Sequence, residues 1–514
     1  MLGRFFAAAL AIACTLTHAA DLRIGLSADV TTVDPHHLPS QPNLTIAYHV
    51  FDALTHVDER ARIIPGLAVS WRTLDPTTWE FKLRPGVKFH DGSELTAEDV
   101  VFSLDRPPTV KGGGFGSYVA MIQSKEIVDK LTIRIRTRAP YGALPQEINS
   151  VAIVSKKHAA NAAGEDFDSG KATIGTGPYK FVRFARGDRV EYVRNDDYWG
   201  GRPAWERVTL RIMPNDPVRT AALLAGELDV IEHVPPADRP RLAKHPKLRI
   251  DQATSWRTLF LHLDQFRTTP LYVTDNAGKP LAKNPFMDIR VRRAMSMAIN
   301  RQAITERVME QLAVPAANVV SPGVFGHNPQ LKPEPYNPDG AKKLLAEAGY
   351  PDGFGITLSG TNNRYINDQQ ILQAVAQMFT RVGIQTKVEA LPLAVYFPKA
   401  RKDDTSVALL GWGSFSGDLA LRSLLATPDA TRGWGSWNWG KSSNAKLDQL
   451  LTQAFATTEV KAREALVREA MAAAMAEVPV IPLHHQIVTW AMRSDITYTP
   501  RTDEFTFAHL FRPR

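Results

Sequence analysis

The single cysteine of the chain, Cys14, lies inside an N-terminal apolar run, and this placement limits how everything after it can be held together. Met1 to Arg4 carries one positive charge, and Phe5 to Leu16 is apolar over the length of a signal-peptide core. Thr17-His18-Ala19-Ala20 offers small residues for cleavage, and Asp21 opens a polar segment. This is the layout of a secretory leader, too short to span a bilayer. Residues 1–20 are therefore read as a signal peptide, and cleavage after Ala19 or after Ala20 fits equally well. A lipid attached at Cys14 is disfavoured, because Ala11-Ile12-Ala13 departs from the usual Leu-rich context. The mature chain then has no thiol, no disulfide and no Cys-based metal site, so its core alone must hold it.

A single core stops growing near ~250–300 residues. At 514 residues the chain is expected to form two or more lobes. Hydrophobic residues at 44% and charged residues at 22% mark a soluble globular protein rather than a disordered chain or a membrane bundle. The formal charge of +8 raises the question of nucleic acid, but Lys and Arg are spread along the sequence. The one short cluster, Arg290–Arg292–Arg293, is interrupted by Val291 and leads into an apolar helix pattern, which reads as a solvated helix face.

Strands and helices alternate without internal repeats. Trp79, Phe81 and Leu83 alternate with polar residues as in a half-buried strand. Arg84-Pro85-Gly86 is read as a turn, with Val87 and Phe89 on a partner strand. Thr96-Ala97-Glu98-Asp99 has the form of a capping box opening a helix with Val100, Val101 and Leu104 inside. Asn337 and Pro338 open a second helix, and Gly349 ends it. Ile371 to Val382 form a longer apolar stripe that stops at Gly383, and Ile384, Thr386 and Val388 follow as a strand. Leu447, Leu450, Leu451 and Ala454 mark another helix. Helix followed at once by strand is the rhythm of an α/β lobe.

Few motifs carry chemistry. Gly435 to Ser442 fits the Walker A spacing, but no buried strand precedes it and Trp437 and Trp439 crowd a loop that must be slim, so the match is read as chance. Gly413-Ser414-Phe415-Ser416-Gly417 fails the nucleophile-elbow pattern, because Phe holds the central place. His36-His37 and His484-His485 are adjacent pairs without the spacing of a zinc site. No catalytic residue, metal ligand or cofactor is assigned. Recognition remains. Aromatic rings and Gly concentrate at Gly411 to Asp418 and at Trp434, Trp437 and Trp439, where rings supply contact area and Gly lets backbone approach a ligand.

The sequence resembles the extracellular solute-binding proteins of family 5, the peptide- and nickel-binding components of ABC importers. The resemblance rests on Trp79 to Gly92 continuing through Leu95 to Ser103. It rests also on Asp34-Pro35-His36, Phe51 to Leu54, Pro65 to Ala68, Gly175 to Tyr179, Asp288 to Arg301 and Val480 to Leu483. It runs from about Asp21 to the C-terminus.

The resemblance implies an α/β, two-lobed periplasmic binding protein fold, type II-like, with an extra subdomain and a hinge crossed twice. Lobe I would combine 21–64, 175–262 and 484–514, with the extra subdomain 65–174 upon it, and lobe II would be 263–483. The crossings would lie near Leu261–Asp264 and Leu483–Gln486. It also implies a periplasmic, monomeric carrier that delivers a small peptide or peptide-like solute to an ABC permease and ATPase in the inner membrane, with no nucleic acid as partner. Glutathione, an opine, haem, a nickel complex or an oligosaccharide are the alternative ligands, and a secreted hydrolase is the reading from a different class. Arg364 falls where dipeptide binders carry an arginine for the ligand carboxylate, a task suited to a planar guanidinium. Phe415 stands where those binders place an Asp for the ligand amine. Asp418 is the nearby acid expected to take a cationic or polar group, and Ser416 to Arg422 look more like the glutathione-binding branch. Trp256, Trp412, Phe415 and Trp437 are expected to line the ligand's apolar walls.

Overall fold

The computed structural model describes residues 21–514; the expected leader, Cys14 included, lies outside them. A 12-stranded sheet organises the chain. On one side of its centre lie the strands Phe354–Thr361 and Val407–Gly413, and on the other Val230–Glu232, Asp21–Leu26, Arg207–Ile212, Arg189–Arg194 and Tyr179–Ala185. Two long antiparallel strands, Leu248–Leu263 and Val480–Arg493, run through the centre and join the halves.

These two strands change partners partway along. Val230–Glu232 pairs with Trp490 to Met492, whereas Val407–Gly413 pairs with Arg257 to Leu263. Between them the register of the long pair shifts from Thr254 to Thr258. At this irregularity the chain leaves the ladder, and the Trp256 amide donates instead to the Thr502 carbonyl at 2.8 Å. A β-bulge bends its strand and re-aims a side chain, and here the side chain re-aimed is Trp256. The change of partners falls earlier in the strand than the Leu261–Asp264 crossing expected from sequence.

Each half has its own apolar core. Helices Ile289–Ala298, Pro338–Glu347 and Asp368–Thr380 pack on one half around Phe354, Leu358 and Leu409. Trp490, Tyr179, Tyr192 and Phe511 fill the other. A separate four-stranded sheet in the order Ala68–Asp75, Thr78–Leu83, Thr132–Thr137, Ile122–Asp129 carries helix Ala97–Asp105. This inserted segment touches the loop after strand Asp21–Leu26 through the buried Arg106–Asp34 pair at 2.7 Å. Its apolar cluster is also continuous with helices Gly417–Leu424, Ala445–Ala456 and Val460–Ala476, where Tyr141 stacks on Phe455 with centroids 5.3 Å apart.

Local signals translate directly where a few neighbouring residues decide. The Asp99 carboxylate accepts from the Thr96 amide and hydroxyl, each at 3.0 Å, and opens helix Ala97–Asp105. Asn337 accepts the Gly340 amide at 2.8 Å with Pro338 at the first helical position. Gly349 and Gly383 end their helices at φ +94° and +96°, the left-handed region that glycine tolerates.

Two expectations fail. Val87 and Phe89 are buried but form no partner strand, making only the Lys88–Glu94 bridge, because both edges of Thr78–Leu83 are already taken by Ala68–Asp75 and Thr132–Thr137. The arginine cluster is not uniformly solvated either. Arg292 is buried and donates to the carbonyls of Phe286 at 2.8 Å, Glu477 at 2.7 Å and Val478 at 3.1 Å, clamping its helix to the start of the Val480–Arg493 strand.

Candidate functional site

A cavity of about 1550 Å³ opens beside the Trp256 bulge. Its walls come from widely separated parts of the sequence: Tyr48 and His56 near the N-terminus, Tyr118 and Glu147 from the inserted segment, Arg364 and Trp412 from the second half of the sheet, and Phe505 from the C-terminal tail.

The Val407–Gly413 strand supplies the floor. A Cβ on Gly411 would lie 2.6 Å from the Tyr365 ring, and one on Gly413 would lie 2.5 Å from the Trp256 indole. The glycines thus make room for two protein rings, and both glycines also line the cavity. Between them Trp412 turns its ring to the cavity and packs on Trp437, centroids 4.9 Å apart. Phe415 packs near Trp256 at 6.2 Å. Trp256, Trp412, Phe415 and Trp437 all line the cavity, as does Arg364.

Arg364 sits in the loop after strand Phe354–Thr361. The Asp368 carboxylate shapes this loop by accepting from the Arg364 amide at 3.0 Å, the Tyr365 amide at 3.1 Å and the Thr361 hydroxyl at 2.6 Å. The guanidinium lies 5.3 Å from the Tyr365 ring centre, and no carboxylate pairs with it among the described residues. Its surface is open to the cavity while protein surrounds the site on several sides, so desolvation, and after it the neighbouring Arg257 charge, lower its pKa. An anion placed there would relieve that repulsion.

Asp418 does not reach the cavity. It is fully buried, accepts from the Leu419 amide at 2.9 Å and from the Ser416 hydroxyl, and faces the Arg463 guanidinium at 3.5 Å. Arg463 in turn donates to the Gly142 carbonyl. Helix Gly417–Leu424 directs this carboxylate inward, so the expectation that it meets a ligand's cationic group is corrected: its charge is committed to a structural pair.

Several lining residues escaped the sequence reading. Arg257 pairs with Glu504 at 2.7 Å behind the Trp256 bulge. Burial opposes ionisation of Glu504, but the Arg257 charge and hydrogen bonds outweigh it, and the carboxyl falls from 4.5 to about 2. Arg422 donates to Glu147 at 2.6 Å and to the Tyr141 hydroxyl at 2.8 Å. Arg401 and Phe397, from helix Leu393–Arg401, close another side. A mixture of aromatic and basic residues in Tyr396-Phe397-Pro398-Lys399-Ala400-Arg401 was the available signal.

The histidine pair and the Walker-like stretch form no site of their own. His485 faces the Thr258 hydroxyl at 2.8 Å inside the sheet, and desolvation holds His484 and His485 near 3. In the Walker-like stretch, Trp437 and Trp439 join an aromatic cluster, and the next helix starts at Ala445 under an Asn444 cap.

Comparison with known proteins agrees with this architecture. A family model described as bacterial extracellular solute-binding proteins, family 5 middle, matches residues 62–425. The chain is 30% identical over 482 residues to the glutathione-binding protein GsiB of Pectobacterium atrosepticum, covering 91% of this chain and 89% of that protein. It is 29% identical over 457 residues to the heme-binding protein A of Haemophilus influenzae, covering 83% and 79%. The ABC transporter-associated periplasmic binding protein DppA of Helicobacter pylori, solved with the peptide STSA, shares the fold at a TM-score of 0.80 and 24% identity, over 96% of this chain and 98% of that one. The central sheet with its two joining strands, the aromatic cavity beside them and the matched residues together make this chain a member of the bacterial extracellular solute-binding proteins, family 5.

Proposed function

We propose that the protein is the periplasmic substrate-binding component of an ABC importer, holding a small peptide or peptide-like solute and presenting it to a membrane permease. One observation carries this reading: a cavity walled from both halves of a sheet whose halves are joined by two strands. Such a site couples ligand contact to closure, because a solute touching both halves favours the state that brings them together. Aromatic walls with a few polar groups are the usual make-up of a small-molecule pocket. Residues 21–64, 175–262 and 484–514 are assigned to lobe I, 65–174 to the inserted subdomain and 263–483 to lobe II. The hinge is assigned to the two joining strands near Leu261–Asp264 and Leu483–Gln486, with the Thr254–Thr258 irregularity just before the first crossing. Residues 1–20 are assigned to an export signal, and the carrier is taken to act as a monomer.

Native mass spectrometry of the purified protein, followed by thermal shift and small-angle scattering with di- and tripeptides, glutathione, haem and metal chelates, tests the assignment. One class should bind unchanged, raise Tm and make the particle more compact. A scattering profile indifferent to every solute, or turnover of a chromogenic ester or peptide, overturns it.

A further inference from the structure

We propose that the cavity is built for a solute with two acid groups separated by an apolar, preferably aromatic, middle, and that Arg364 and Arg401 receive the two acids. The proposal rests on the reading of this cavity as the solute site.

The argument is an accounting of charge. Five arginines among the lining residues bear on it. Arg257 is committed to Glu504 at 2.7 Å, Arg422 to Glu147 at 2.6 Å, and Arg501 to Asp503. Arg364 and Arg401 differ: among the described residues neither guanidinium has an ion pair or a hydrogen-bond acceptor. Each is held over a ring instead, Arg364 5.3 Å from the centre of Tyr365 and Arg401 4.6 Å from the centre of Trp437. A ring face orients a cation without neutralising it or using its N–H donors. Both forks therefore remain free for bidentate bonds to carboxylate or phosphate.

The rings beneath these cations are anchored to the same strand. The Tyr365 hydroxyl donates to the Gly411 carbonyl at 3.1 Å, and Trp437 packs on Trp412, the next residue in the strand. Both free cations therefore line one cavity together with the rings that hold them. That arrangement suits a solute that carries two acid groups on an apolar or aromatic body.

The acidic lining residues offer little for a compensating cation. Asp52 accepts from Thr176, Tyr198 and Trp199 at 2.8, 3.2 and 2.8 Å. Asp58 is bound to Arg62 at 2.6 Å, Glu147 to Arg422, and Asp503 to Arg501. Glu59 has no ion pair, but it lies within the field of Arg62 and Arg501. Asp52 and Glu59 have no Lys or Arg partner among the described residues, so the acid-binding sites are marked by the free donor forks of Arg364 and Arg401 and not by the net charge of the cavity.

The test uses the whole mature protein and three capped probes of nearly equal size: N-acetyl-Glu-Phe-Gly with a carboxylate on either side of Phe, N-acetyl-Gln-Phe-Gly with one carboxylate, and N-acetyl-Gln-Phe-Gly amide with none. Isothermal titration should show affinity falling about 10-fold or more for each carboxylate removed. R364Q and R401Q should each erase sensitivity to one carboxylate, and the double variant should bind all three probes alike. Circular dichroism and the unliganded Tm should stay as in the parent, since both side chains face open space. The proposal falls if the uncharged probe binds as tightly as the dianion, or if R401Q keeps the full charge dependence. Biphenyl dicarboxylate and its monocarboxylate run in parallel. If only these bind, with the same arginine dependence, the two-acid assignment stands and the peptide reading falls. If instead a neutral or cationic solute alone binds, the two-acid assignment falls and the solute-binding reading stands. Binding of no solute of any class overturns both.

Discussion

Arg422 donates to Glu147 at 2.6 Å, joining helix Gly417–Leu424 to the inserted segment at the edge of the cavity. Glu147 is almost fully buried, and the Tyr141 hydroxyl completes the arginine's shell at 2.8 Å. Burial raises the Glu147 pKa despite the arginine beside it. Removing one partner of a buried pair strands the other charge and typically costs about 3–5 kcal/mol, whereas replacing both with apolar groups is far milder. R422M should therefore lower Tm markedly, and R422M/E147M should recover much of the loss. Denaturant unfolding of both single variants and the double checks this; equal, additive losses would mean that the two groups do not act as a pair.

The same seam contains a steric test. Gly142 donates to the Phe455 carbonyl at 2.6 Å, and a Cβ added there would meet the Thr457 carbonyl oxygen at 2.0 Å. No side-chain rotation relieves a clash with backbone. Gly142→Ala should separate the inserted segment from helix Ala445–Ala456, lower Tm and, in scattering, shift the liganded protein towards a larger radius. Gly164, which opens helix Gly164–Asp168 with nothing within 4 Å of an added Cβ, is the control. Gly164→Ala should be neutral or stabilise by about 0.5–1 kcal/mol, because a helical glycine loses more chain entropy than alanine.

The Trp256 bulge should be one source of acid sensitivity. The Glu504 carboxyl falls from 4.5 to about 2 in the folded protein, where Arg257 overcomes its desolvation. A depressed carboxyl contributes stability above its unfolded pKa and loses it as pH falls through its folded pKa. The contribution is on the order of 3 kcal/mol, fully present above pH 4.5 and gone near pH 2. Glu504→Gln should lower stability at neutral pH and flatten the decline across that window. Urea midpoints between pH 7 and 2 measure it; a parallel decline in parent and variant would mean that this pair contributes none of the acid sensitivity.

How much of this was legible depends on how far apart the deciding atoms lie in sequence. The Thr96–Asp99 box, the Asn337 cap and the Gly349 and Gly383 stops each involve residues within one helical turn, so the pattern suffices. The cavity walls Trp256, Trp412, Phe415 and Trp437 could be nominated by type and grouping. Asp418 could not be judged the same way. Its fate is decided by Arg463 on another helix and by Gly142 in the inserted segment, and nothing near residue 418 announces either. Arg401 lies in a stretch whose mixed aromatic and basic composition was a signal, but that no acid reaches its guanidinium among the described residues is decided by distant parts of the chain.

Phe415 offers a way to rewrite selectivity. Its ring lines the cavity 6.2 Å from Trp256, in the short turn that leads into helix Gly417–Leu424. The Ser414 hydroxyl donates to the Ser416 carbonyl at 2.8 Å, so the turn is held by residues on either side and does not depend on the phenyl ring. Phe415→Asp would place an uncommitted carboxylate in a cavity whose unpaired cations are Arg364 and Arg401. A hydrogen bond to a charged group contributes about 1.5–3 kcal/mol, which corresponds to roughly 10-fold or more in affinity. The variant should therefore favour peptides with a free N-terminal amine over their acetylated forms by about that factor, a preference the parent should lack. The new charge should also weaken a ligand carried mainly by its acid groups, since some of the positive field would be offset. Titrating parent and variant with matched free-amine and acetylated dipeptides measures both effects, and an unchanged ratio would mean that a ligand's N-terminal end does not approach residue 415.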